Sequence, residues 1–267
     1  MDAVRTSFHH DLPGAAAKMA YFSFLSLFPA LLVVSALTGI IGGDAAFARI
    51  ASTFREATPA DAWRFLAGFL EDVAIQRRPA ILSIGAVLLV WSASSGIAAL
   101  TYALNAILGI EERRGWWSRR VLALIVFAVG ALLLVTGATV LFTGIDVMRS
   151  LGFGEGWRIA RWPLALALLA ATIWLAYYFL PNREHRRAGR EALKGAMLAT
   201  ALWTLATLLL GFWIGYIRDY SRIYGGVGAV IALLVWFYLT SLAVLFGAEF
   251  AAALERRDGA EVGHERP

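Results

Sequence analysis

The chain contains no cysteine. That excludes a disulfide framework, a thiolate metal site and a cysteine nucleophile. Histidine is nearly as scarce: His9, His10, His185 and His264 are the full set, all in terminal or loop segments. None sits at the HxxxH or HxH spacing that would place two imidazoles on one metal. There is no P-loop, no GxGxxG and no GxSxG, so neither nucleotide hydrolysis nor dinucleotide or serine-hydrolase chemistry is written here. Charge is the third shortage. Only 16% of the 267 residues are charged, against about a quarter in an ordinary soluble domain.

The missing charge is missing from particular places. Six runs carry no Asp, Glu, Lys or Arg: Met19–Ile41, Ala80–Leu108, Val121–Ile145, Trp162–Leu180, Gly195–Ile217 and Ile223–Ala248. A hydrocarbon core of about 30 Å takes roughly 20 helical residues, so each run is near or above spanning length. A soluble helical bundle would keep a polar stripe on each helix, and these runs have none. Chain in lipid must satisfy its own backbone, which leaves helices or a closed barrel. Blocks such as the one around Leu122–Val135 are not the alternating ten-residue segments of a barrel. The expected fold is all-α: a polytopic membrane protein with six transmembrane helices over residues 1–254 and a polar tail at 255–267. The first run is too long for a signal-peptide core and is expected to be retained.

Six spans put both termini on one side. The short loops on that side carry nine basic residues (Arg113, Arg114, Arg119, Arg120, Arg183, Arg186, Arg187, Arg190, Lys194), and those opposite carry five (Arg149, Arg158, Arg161, Arg218, Arg222). The bias predicts cytoplasmic termini. The net charge of +5 is thus explained by topology, with no nucleic-acid partner implied. Between the first two spans, residues 45–78 read as an outer amphipathic segment. Phe47, Ile50 and Phe54 share one helical face, and Thr58-Pro59-Ala60-Asp61 opens a second helix. It either packs at the membrane surface or forms a lid. Ser92-x-x-x-Gly96 and Gly211-x-x-x-Gly215 have the spacing that lets helices approach closely.

Within the spans a polar or helix-breaking residue is costly, which makes each one a candidate. Lys18 and Glu249 end the first and last spans at similar depth, where they either pair or snorkel to the headgroups. Pro29 lacks an N–H and is expected to kink the first span, with Ser26 one turn earlier to satisfy the freed carbonyl. Asn105 and the Ser92–Ser95 cluster either line a polar path or bond between helices. Tyr224-Gly225-Gly226-x-Gly228 suits a hinge or a close helix contact. The echo between the FLSLFP of the first span and the YYFLPN that ends the fourth is too short to establish an inverted repeat.

Several strings also carry a likeness in order along the chain. They are Ala20-Tyr21-Phe22-Ser23-Phe24-Leu25-Ser26-Leu27-Phe28-Pro29, Tyr177-Tyr178-Phe179-Leu180-Pro181-Asn182-Arg183, Gly195-Ala196, Phe212 with Tyr216, Ile223-Tyr224-Gly225-Gly226-Val227-Gly228-Ala229-Val230, and Gly247-Ala248-Glu249. From about Ala15 to Leu254 the chain resembles the YihY/BrkB family of bacterial inner-membrane proteins. Gly226 departs mildly from the usual pattern. The resemblance implies six helices and cytoplasmic termini, and it adds Pro181 and Asn182 to the residues of interest. It also implies associations with a ribonuclease label, with serum resistance and with export of envelope lipid. The ribonuclease label fails on the residues: Glu111-Glu112 are adjacent and do not face the same way on a helix, and the histidines have no ligand geometry.

The leading expectation is therefore a transporter or flippase-like protein for a lipid or other amphiphile, with membrane lipids as its surroundings, no cofactor and no enzymatic step. A non-transporting envelope scaffold is the alternative, and an enzyme acting on lipid stands third. A homo-oligomer is compatible with either of the first two.

Overall fold

In a computed structural model, residues 11–41, 79–142, 152, 154–182, 189–216 and 220–264 are described. Among them the chain forms six helices and no strand: α1 Leu12–Ile41, α2 Pro79–Leu108, α3 Trp116–Phe142, α4 Gly154–Phe179, α5 Gly189–Tyr216 and α6 Tyr220–His264. Five of them contain apolar stretches of 23 to 28 residues, more than the ~20 that a bilayer core requires. The sixth expected span, 19–41, lies in α1, whose side chains beyond Ala30 are outside the described set. The outer segment 45–78 falls outside it entirely.

The faces of these helices are inverted relative to a water-soluble bundle. Val87, Leu132, Val135, Leu208 and Phe212 are all more than 60% exposed, whereas Ser92, Ser94, Asn105 and Glu249 are buried. Large side chains turned outward and polar ones inward suit a hydrocarbon solvent, in which a polar group finds partners only inside the bundle. The protein is an all-α polytopic membrane protein.

Contacts divide the chain into two compact units. One comprises Met1–Ala17, Ile97–Ala206 and Leu239–Pro267, the other Lys18–Gly96 and Thr207–Tyr238. The second holds the kink candidates. Pro29 is buried, and α1 runs through it as one uninterrupted helix. The carbonyl that Pro29 leaves without its amide is that of Leu25. Ser26 does not serve it: its hydroxyl donates to the Ser23 carbonyl at 2.8 Å. The Ser92, Ser94 and Ser95 hydroxyls likewise turn back to Leu88, Val90 and Trp91 of their own helix. Each is satisfied locally and needs no neighbour. Tyr224, Gly225 and Gly228 belong to the first turns of α6, which is helical from Tyr220 onward. Of the two small-residue pairs, Gly96 lies 3.5 Å from the Phe22 side chain, counted from where a Cβ would stand. Gly211 faces open space, and the surroundings of its partner Gly215 lie outside the described set.

In the first unit α3 and α4 pack as neighbours. Gly130 and Gly137, two turns apart on α3, admit Thr172 and Leu168 of α4 to 3.3 and 3.6 Å of the positions a Cβ would take. The closest crossing joins α5 to α6. A Cβ on Gly195 would stand 2.5 Å from the Gly247 carbonyl oxygen, and one on Gly247 would stand 2.6 Å from both the Gly195 oxygen and the Ala199 Cβ. Backbone meets backbone here, which only paired glycines allow. Ala192, Ala196 and Ala199 on α5, with Ala248 and Ala252 on α6, continue the same buried seam.

A buried polar clasp in the first unit

The site begins where α2 stops. Gly109 takes φ +65°, a left-handed conformation that costs glycine little. Its amide donates to Ala106 at 3.1 Å, and the Ile110 amide reaches back to Asn105 at 2.9 Å. These are the two bonds of a Schellman ending, which satisfies two of the helix's last four carbonyls. A third, that of Ile107, accepts from the Arg256 guanidinium of α6 at 3.4 Å. One helix end is thus finished by a side chain 149 positions away in sequence.

The turn that follows folds onto the end of α4. Asn105 is 3% exposed; its amide nitrogen donates to Glu112 Oε2 at 2.9 Å, and its Oδ1 accepts from the Asn182 amide at 3.0 Å. Asn182 Nδ2 in turn donates to the Glu111 carbonyl at 3.1 Å. Glu112 takes two bonds from the Arg114 guanidinium, Nε and Nη2 each at 2.9 Å, and one from the Arg114 backbone amide at 3.0 Å. Arg114 Nη2 also caps the Leu180 carbonyl at 2.6 Å, beyond the last residue of α4. A planar fork satisfies both carboxylate oxygens and still has donors for the carbonyl. Burial pushes the Glu112 carboxyl up, but the bonds and charge from Arg114, with the Asn105 amide, outweigh it and hold the group below its ordinary 4.5.

Beside this clasp lies the glycine crossing. Tyr177 of α4 is buried, and its hydroxyl donates to the Val244 carbonyl of α6. Glu249, 1% exposed, forms an ion pair with Arg256 at 3.7 Å, the same guanidinium that caps Ile107. Between α2, α4, α5 and α6 remains a cavity of ≈ 10 Å³, lined by Leu104, Ile107, Tyr177, Pro181, Ala248 and Ala252 among others. That is about enough for one water.

Asn105, Pro181, Asn182 and Glu249 are thereby brought into one neighbourhood. The remaining candidates, Lys18, Ser26, Pro29, Tyr224, Gly225 and Gly228, belong to the second unit. Lys18 is exposed there, and in the first unit Glu249 has Arg256, two turns later on the same helix, as an ion-pair partner. Glu112, Arg114 and Arg256 were not singled out in the sequence as site residues, and Tyr177, Gly195 and Gly247 stood there only within the strings that carry the resemblance. A glutamate and an arginine two apart just after a helix-ending glycine, and small residues three and four apart on α5 and α6, are the signals that mark them. Among the described residues no three His, Asp or Glu side chains converge as a metal site would require.

A helical bundle with a satisfied polar cluster inside its lipid-facing shell defines an integral membrane protein of the polytopic α-helical class. More narrowly, the chain belongs to the virulence factor BrkB family, whose sequence model matches residues 3–267. It is similar to a protein of Bacillus subtilis strain 168 named ribonuclease-like protein YfkH, with 28% identity over 93% of this chain and 92% of that one. It is also similar to UPF0761 membrane proteins. The one from Tolumonas auensis is 30% identical over 94% of this chain and 83% of its own. The one from Aromatoleum aromaticum is 30% identical over 91% and 60%. No solved structure matches the chain.

Proposed function

We propose that the protein resides in the bacterial cytoplasmic membrane with both termini inside, and moves a lipid or other amphiphile across the bilayer without an enzymatic step. The observation that supports this reading is Glu249. It is a carboxylate 1% exposed within an apolar stretch, Val230–Arg257, long enough to span. An ionisable group at such a place is costly and marks substrate or ion pathways in membrane proteins. Its surroundings sharpen the point, since Gly247, Ala248, Ala251 and Ala252 offer no other polar side chain on the same turns. Helix packing there is already served by the glycine crossing. The carboxylate is buried, with the half-exposed Arg256 guanidinium at 3.7 Å as an ion-pair partner.

The test is lipid scrambling in liposomes containing the purified protein, with a fluorescent phospholipid whose outer-leaflet fraction is bleached by a membrane-impermeant reductant. The wild type is expected to expose the inner-leaflet pool, and Glu249→Gln to slow that exposure at least tenfold while retaining its fold. A wild type that moves neither labelled lipid nor ions would overturn the proposal. That outcome would leave the second reading, a non-transporting scaffold of the envelope. This reading is favoured by the single-water size of the cavity between α2, α4, α5 and α6.

A further inference from the structure

The first turns of α3 carry a surface that the buried clasp does not use. Trp116 and Trp117 stand edge to face, centroids 4.6 Å apart, and are 56% and 75% exposed. Tyr102, from the last two turns of α2, is 61% exposed. Two guanidiniums are laid on these rings, Arg120 over Trp116 and Arg119 over Tyr102, each 5.8 Å from the ring centroid. The Tyr102 hydroxyl also accepts from Arg119 Nη1 at 3.0 Å. At 5.8 Å the ring contacts lie near the ~6 Å limit for cation–π attraction, so the hydrogen bond is the firmer hold on Arg119.

A guanidinium has five donors and no acceptor. Arg119 uses one of the five on Tyr102 and has no carboxylate partner among the described residues; its Nε–H is shut from solvent, so the donors open to an outside ligand are those on its Nη atoms. Rings this exposed at the end of a span sit at headgroup depth, where an amphipathic surface is stable. What a guanidinium meets at that depth is a phosphodiester, whose two free oxygens match its fork. A zwitterionic headgroup brings its own ammonium and largely cancels the attraction. An anionic headgroup does not.

We propose that Tyr102, Trp116, Trp117, Arg119 and Arg120 form a binding surface for one anionic phospholipid. Its phosphate lies against the two guanidiniums and its glycerol and upper acyl chain lie over the tryptophans. The proposal is independent of whether any lipid is transported.

Native mass spectrometry of the full-length protein, with equimolar phosphatidylglycerol and phosphatidylcholine added in detergent, tests it. The wild type is expected to retain phosphatidylglycerol in preference. Arg119→Gln with Arg120→Gln should weaken that retention by roughly fivefold per arginine removed. Arg119→Lys with Arg120→Lys keeps the charge and should lose less. Equal retention of both lipids by the wild type, or an unchanged preference in the glutamine variant, overturns the proposal. So does a thermal stabilisation by inorganic phosphate alone that equals the one given by phosphatidylglycerol. Should the glutamine variant not fold, quenching by acyl-brominated lipids decides instead. Brominated phosphatidylglycerol must quench the wild type more than brominated phosphatidylcholine does, and Trp116→Phe with Trp117→Phe must remove the excess; failure of either overturns the surface.

Discussion

Arg114 and Arg119 are five residues apart and have opposite fates. Arg114 is drawn inward, with a side chain 19% exposed. It is forked onto Glu112 and caps the end of α4. Arg119 is held by one hydroxyl on an exposed ring. Both count equally in a tally of basic loop residues, and both belong to an Arg-Arg pair. The difference lies in what faces them. A carboxylate two positions before Arg114 and a free carbonyl at Leu180 give it a closed set of partners. The partners of Arg119 are aromatic, so most of its donors are left for something outside the chain. A loop's charge count therefore mixes two populations, one that locks helices together and one that addresses the membrane surface.

The comparison can be broken at several points. The most severe test is on the clasp's side. Gly247→Val drives a branched side chain into the Gly195 oxygen and the Ala199 Cβ, each 2.6 Å from the first added carbon. Backbone does not yield as a side-chain tip does, so a loss of ~4 kcal/mol or more is expected, enough to abolish a folded peak in size-exclusion chromatography. Arg114→Ala removes three bonds from its guanidinium and leaves Glu112 charged and nearly enclosed; about 3 kcal/mol should be lost in detergent unfolding. An arginine at 114 that proved as dispensable as Arg119 would dissolve the distinction. Asn105→Ala strips two bonds from a buried node and should cost about 2 kcal/mol.

Acidity offers a further test. The folded Glu112 carboxyl titrates below its ordinary 4.5, so its stabilising contribution is complete above that value and fades as pH falls through the lower, folded one. Glu112→Gln should therefore trail the wild type by a constant margin at neutral pH, on the order of 1.5 kcal/mol. The margin should close only at pH values under 4.5. Closure at higher pH would contradict the pairing with Arg114. Smallest of all, Arg119→Ala should change stability in lipid-free detergent by no more than about 0.5 kcal/mol.

How far the sequence could be read follows from the same physics. Hydrocarbon length is a one-dimensional property, so the charge-free runs located the helices directly. The ends α2 Leu108 and α4 Phe179 fall within one residue of their runs. Asn105 was visible as a polar residue within a span and Asn182 only through the family resemblance, and nothing in their 77-residue separation announces that they bond. Glu112 was legible only as half of an acidic pair, because the turn that aims it at Arg114 depends on Gly109 entering the left-handed region. Small-residue spacing pointed to Ser92 with Gly96 and to Gly211 with Gly215, while the tightest contact described joins Gly195 to Gly247. The spacing of small residues shows that a face is smooth, not what lies across from it. Ser26 was matched to Pro29 by distance along the helix, while the hydroxyl found a closer carbonyl in its own turn.

The reach of Arg256 to the Ile107 carbonyl has a consequence in time. Ribosomes add about 5–20 residues per second, so the 149 positions between them correspond to roughly 7–30 s of synthesis. Throughout that interval α2 is in the membrane with a carbonyl at its end that its final partner has not yet emerged to meet. Asn105 waits about half as long for Asn182. The nascent protein thus passes through a stage in which its spans are inserted but its polar groups are still open. The last helix closes both Ile107 and the glycine seam.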